Sequence, residues 1–307
     1  MITRHNEGGL HWVDLDRPSE EETFAMAKEF NLGKGVALEL AHPGSQPRVD
    51  VFSHYIYLRL HFPIFTKRAN GKDGRSQEMN FVIGKDFIIT AHYVTIITLY
   101  DVGKMVEKAN LLGRNPYTET PQKIVFDLIN RMYSKIASEL KNNGNSLRDI
   151  EERVFAGKEK EMVIEVSNIS RDIIDLRRDL RSHGPVLASF AAAFRKLFDH
   201  EHEFELESLR SKYEELASEL EGNRELMNDL KETNISLLST KTNEAIKMLS
   251  VMGFIMFPLT FVAAVFGMNT KTMPIVGDLN DFWLIMGIMA VVFVFLWGYL
   301  TRKGWIR

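Results

Sequence analysis

Cysteine is absent from the 307 residues, and its absence excludes disulfides, thiolate metal sites and cysteine nucleophiles. A Gly-rich phosphate loop is also missing, so nucleotide-driven work has no support. The first twenty residues hold Glu7, Asp14, Asp16 and Glu20 and no apolar core, unlike a signal or transit peptide. The N-terminal part is therefore expected to stay on the side of synthesis. Net charge is only −3, and no nucleic-acid partner is expected. No catalytic constellation emerges, so the chain is not read as an enzyme. His200 and His202 stand among Asp199, Glu201 and Glu203, but positions two apart diverge on a helix. They read as solvated charge. His54, His61 and His92 lie in strand-like text and read as structural.

Charge is missing altogether from two stretches. Residues 249–266 read LSVMGFIMFPLTFVAAVF, and residues 282–300 read FWLIMGIMAVVFVFLWGYL. Each has about the length that crosses a hydrocarbon core as a helix. The competing reading is a hairpin buried in a soluble core. The connection between the two is short, so the helices must run antiparallel. Lys241 and Lys247 flank the first stretch, Arg302, Lys303 and Arg307 follow the second, and the connection carries only Lys271. That bias predicts cytoplasmic termini and an external connection. Trp283, Trp297, Tyr299 and Trp305 stand near the ends of the second stretch, as interfacial anchors would. Pro258 removes a backbone donor inside the first and predicts a kink.

Proline is absent from 186–257. Over the same region Leu206, Leu209, Tyr213, Leu216, Leu220, Asn223, Met227, Leu230, Asn234, Leu237 and Lys241 follow alternating steps of three and four. The spacing predicts one helix over about 188–267. Its seam can serve either a second copy or helices of the same chain. Two membrane helices cannot enclose a pore alone, so self-association is expected. Residues 199–232 hold twelve acids and four bases. Repeated around an oligomer, they would concentrate divalent cations, although a solvated helix face reads the same way.

Upstream, 50–62 and 80–99 are rich in aromatic and β-branched residues and predict strands, the second with a Gly84-Lys85-Asp86 turn. Residues 67–77 read as a polar hairpin loop. Helices are predicted over about 121–140 and 146–182, parted at Asn142-Asn143-Gly144-Asn145, and Gly184-Pro185 closes the second. The expected organisation is an α+β cytoplasmic domain (1–120), a helical hairpin (121–187) and a stalk helix (188–267) whose last part, about 247–267, is the first transmembrane helix. An external loop (268–280), a second transmembrane helix (281–301) and a basic cytoplasmic tail (302–307) complete it.

Phe257-Pro258-Leu259-Thr260-Phe261-Val262-Ala263-Ala264-Val265-Phe266-Gly267-Met268-Asn269, followed by Met273-Pro274, resembles the CorA family of two-membrane-helix metal-ion transporters. The likeness is firm over the last sixty residues. It extends upstream through FVIGKDFIITAH and the helical region. It implies a homopentameric funnel in a prokaryotic plasma (inner) membrane. It also implies a pore lined by Asn243, Ile246, Leu249, Gly253, Phe257, Thr260, Gly267, Met268 and Asn269. The implied cargo is a divalent cation, magnesium first. Alternatives are zinc or another cation, with or without proton coupling, and a non-conducting membrane-anchored sensor or scaffold. Regulatory magnesium between subunits would fall to Glu232, with Glu207 standing in for Ser208. Three departures stand out. Lys271 occupies a position usually acidic, Phe257 replaces a methionine, and Phe266 replaces a tyrosine. A lysine ring at an outer mouth repels cations.

Overall fold

The structure is a computed structural model and describes residues 1–6, 10–44, 46–64, 76–112, 117, 120–268 and 281–305. It forms two units, Met1–Lys231 and Glu232–Arg307.

In the first unit a six-stranded sheet has the order β1-β2-β6-β5-β4-β3. The strands are β1 (Ile2–His5), β2 (His11–Asp16), β3 (Arg48–Val51), β4 (Tyr55–Pro63), β5 (Ser76–Gly84) and β6 (Phe87–His92). Only β2 and β6 pair in parallel; every other neighbouring pair is antiparallel. Helices α1 (Glu20–Glu29) and α2 (Lys34–Ala41) cover one face, burying Met26, Val36, Ala37 and Leu40 against Val13, Leu15, Tyr57, Val82 and Ile89. A capping box starts α1: Ser19 Oγ accepts from the Glu22 N–H, and the Glu22 carboxylate accepts from the Ser19 N–H. On that face lies a buried polar network. The Arg59 guanidinium meets Glu39, Glu78 and Asn80, and donates to the Tyr57 hydroxyl at 2.8 Å. Its charge stays buried because two carboxylates neutralise it.

The helices that follow are α3 (Ile97–Leu111), α4 (Lys123–Phe155), α5 (Glu159–Leu180), α6 (His183–Phe198) and α7 (Glu203–Phe266). Their ends differ from the sequence reading. Helix α4 runs straight through Asn142–Asn145. Gly144 there is a point of close approach: a Cβ would lie 3.0 Å from Asn223 Oδ1. Asn223 in turn donates to the Leu140 carbonyl at 2.7 Å. The reversal comes at Gly157, whose φ of 90° suits glycine. Bonds from Gly157 N to Val154 O and from Lys158 N to Arg153 O close α4 there. Gly184-Pro185 opens α6 rather than ending a helix, as proline is tolerated in a first turn. Residues 93–99, expected to finish a strand, lead into α3.

The stalk helix expected over 188–267 is two helices. Asp199 takes a φ of 56°, ending α6, and α7 begins at Glu203. No proline was needed for the break. His202, read as solvated charge, is 2% exposed and packs its ring on Phe126 and Phe194. His200 remains exposed.

The seam of α7 is used within the chain. Leu206, Leu209, Leu216, Leu220, Met227 and Leu230 are all buried in the first unit. Lys212 Nζ donates to the Asn130 carbonyl and to Ser134 Oγ on α4. The Tyr213 ring lies 6.4 Å from that of His183 on α6 and 6.5 Å from that of Tyr133 on α4. Of the two readings of the heptads, packing on the same chain holds for this stretch.

His183 sits at this junction, fully buried. Its Nε2–H donates to the His61 carbonyl and its Nδ1 accepts from the Tyr133 hydroxyl, each at 2.8 Å. The Nδ1 acceptor needs the neutral ring, and burial lowers its pKa to about 4. Because the folded value lies below the unfolded one, this contribution to stability is full above about pH 6.5 and is lost as pH falls toward 4. The expected loss over that window is roughly 3 kcal/mol. Denaturant titrations of the detergent-solubilised protein between pH 7 and pH 4 should show it. His183→Gln should be less stable at pH 7 and show a shallower pH slope; an unchanged slope would remove His183 as the source.

Candidate ion pathway

The second unit contains the last part of α7 and α8 (Asp281–Arg302). Only 11% of the apolar stretch of α7 and 6% of that of α8 is buried. A hairpin filling a soluble core would be covered, so these surfaces are built for lipid or for further copies.

The two helices share a narrow seam. Val251 and Ile255 of α7 meet Leu300 of α8, with Leu259 packed alongside. The Phe254 and Tyr299 rings stack 6.4 Å apart. Helix α7 continues through Pro258. A helix advances about 100° per residue, so Val251, Ile255 and Leu259 form one face. On the same arithmetic Leu249, Gly253, Phe257 and Thr260 centre roughly 150° away. The predicted pore face is thus the one α8 leaves uncovered. Leu249 is 72% and Phe257 79% exposed, while Ile246 and Thr260 are exposed and Gly253 is half-buried. Asn243 is exposed on the flank of that face. Met252, Met256 and Phe261 are exposed as well, so the open arc is wider than the predicted set.

Gly267 ends α7, its N–H donating to the Ala263 carbonyl at 2.9 Å, and Met268 is exposed beyond it. Asn269 and Lys271 lie outside the described residues, as does the rest of the expected external loop after Met268.

Glu207 and Glu232 are both exposed, as is Ser208. Among the described residues no group of three or more His, Asp or Glu side chains is arranged to hold a metal ion. Several stalk acids are committed inside the chain. Glu203 takes Arg195 at 2.9 Å, which holds its carboxyl below the usual range; Glu214 takes Arg210, and Glu221 takes Arg224. Glu205 faces His202 at 3.8 Å.

Sequence reasoning missed one feature at the other end of α8. Gly304, with φ of 70°, closes that helix through bonds from Gly304 N to Thr301 O and from Trp305 N to Leu300 O. The Gly304 carbonyl then accepts from Lys247 Nζ of α7 at 3.2 Å. Glycine just after Arg302-Lys303 was the available signal for the cap. Nothing in the sequence marked Lys247 as its partner.

A family model described as "CorA-like Mg2+ transporter protein" matches residues 7–302. The "Cobalt/magnesium transport protein CorA" of Thermotoga maritima is 23% identical over 98% of this chain and 82% of that protein. The protein of the same description from Methanocaldococcus jannaschii is 21% identical over 97% of this chain and 92% of that one. The complete structure of the CorA magnesium transporter from Methanocaldococcus jannaschii superposes with a TM-score of 0.82. It is 19% identical, covering 99% of this chain and 94% of that one.

At Gly253 an added Cβ would meet nothing nearer than Phe257 Cε2 at 3.6 Å, an ordinary contact. Gly253→Ala is therefore expected to leave the thermal stability of detergent-solubilised chains within about 0.5 kcal/mol. A loss of cation flux with stability unchanged would place Gly253 against another copy or in the pore; a large loss of stability would instead place its constraint inside one chain.

Proposed function

This chain belongs to the family of CorA-like Mg2+ transporter proteins, and on that premise we propose that it carries a divalent cation, magnesium first, across a membrane. The pore is formed by several copies, five by the family resemblance. The observation that carries this reading is the uncovered face of α7, which brings Leu249, Gly253, Phe257 and Thr260 to one side. One helix pair leaves that face bare, and copies arranged about an axis would turn it inward. Ile246, Leu249 and Phe257 make apolar constrictions that gate by dewetting, and Asn243 and Thr260 give polar rings on either side of them. Asn269, with Gly267 and Met268, forms the filter at the end of the path. Magnesium keeps its water and wants oxygen ligands, so a ring of amide oxygens would hold the hydrated ion without stripping it. A potential of 100 mV, inside negative, supplies about 4.6 kcal/mol for a double charge. Both termini face the cytoplasm of a prokaryotic cell, and the loop after Met268 faces outward. Glu232 and Glu207 bind regulatory metal only between copies.

Asn269→Ala should lower magnesium flux into liposomes about tenfold, the cost of one hydrogen bond to a charged group. Unchanged flux removes Asn269 from the filter.

A second reading is a poorly conducting member, favoured by Lys271 at the outer mouth and bulky Phe257 in the path. Lys271→Glu should raise flux about tenfold at low ionic strength, with less gain at high salt. No gain at either salt concentration removes the lysine ring as a barrier.

A further inference from the structure

The end of the helix pair that carries Lys247 has a use beyond ion passage. Lys247 on α7, Arg302 at the end of α8 and Lys303 just beyond it meet there, all exposed, with Lys241 farther back along α7. Between 233 and 268 the only acid is Glu244, one turn from Lys247. Positive charge is therefore in excess at the level where the apolar stretches stop.

The geometry is specific. The Lys247–Gly304 bond brings the tail alongside α7. An ammonium has three donors, and this bond uses one, leaving two for another oxygen acceptor. Lys303 Nζ sits 5.4 Å from the centre of the Tyr299 ring, which holds its charge close to α8. Trp305 is 46% exposed, and its backbone is fixed by the Gly304 cap. An indole at the boundary of an apolar helix pair belongs at headgroup depth. Cations and an interfacial ring together match a group with an anionic head and an apolar tail.

We propose that Lys247, Arg302 and Lys303 bind the phosphate of an anionic membrane phospholipid, with Trp305 against its upper acyl chain. Lys247 stands two residues before Leu249, so a bound lipid steadies α7 where its apolar stretch begins, next to the predicted constrictions. The assignment rests on the membrane placement proposed above and not on which ion is carried.

The test uses full-length protein in vesicles of phosphatidylcholine with brominated phosphatidylglycerol or brominated phosphatidylcholine as the quencher. The Trp305 share of the fluorescence is taken by difference from Trp305→Phe. Phosphatidylglycerol should bind at least ten times more tightly than phosphatidylcholine. Arg302→Gln and Lys303→Gln should each lower that preference about fivefold, and Lys303→Arg should keep it. Raising salt on the unaltered protein should reduce the preference, which keeps the idea testable if a variant does not fold. Equal binding of the two lipids overturns the proposal, as does a preference that survives the double variant. Displacement by millimolar inorganic phosphate would make the ligand a free anion and overturn the lipid assignment. No flux enters the measurement: a protein that binds the lipid and conducts nothing keeps this site and loses the transport reading. Absence of quenching by any brominated lipid sinks the membrane placement itself.

Discussion

The burial of the α7 leucine row against its own chain constrains everything else in the molecule. Leu206, Leu209, Leu216 and Leu220 are covered there, and Lys212 and Asn223 are spent on carbonyls of α4. Glycine at 144 exists to let Asn223 approach, and the neutral His183 ring lies beside Tyr213 in the same layer. A helix face used in this way is not offered to a neighbour. Residues 203–231 therefore cannot use this seam to pair copies as a coiled coil. The proposed self-association would have to use other surfaces, among them the apolar part of α7 that α8 leaves bare.

That bare face gives the functional reading its physical content. Membrane helices need only satisfy their backbones internally, and α7 and α8 touch through a handful of side chains. The rest of both surfaces is exposed apolar area that water would not tolerate. One side of α7 carries threonine, glycine and phenylalanine in a row, a mixed surface that hydrocarbon alone would not call for. The stalk acids, by contrast, are partly consumed by Arg195, Arg210 and Arg224, which weakens any picture of them as a free cloud of negative charge.

The two apolar helices and the shared face of Leu249, Gly253, Phe257 and Thr260 were legible in the sequence for a simple reason. Some twenty apolar residues without a charge leave few structural options, and spacing of three and four fixes a face whatever the fold around it. Helix ends were less legible. Asn142–Asn145 reads as a break because those residue types usually punctuate, yet tertiary packing kept α4 whole, while Asp199 broke a stretch that holds no proline. The Ser19 and Glu22 box and helix α3 were overlooked, the latter behind a β-branched beginning. His202 was misjudged because its charged neighbours in sequence are not its neighbours in space: two phenylalanine rings are. The Lys247–Gly304 bond joins residues 57 positions apart, and no local pattern encodes it.

Satisfaction of the α7 seam within one chain also orders events in time. A subunit whose long helix finds its partners in its own sequence completes that layer without meeting another copy. Folding of the first unit is then a unimolecular step, and the proposed assembly would be a later, concentration-dependent one. Newly made chains would pass through a folded, solitary stage in the membrane before any ring closes. If copies close into the proposed ring, a cell could adjust the number of rings simply through how much of the chain it makes.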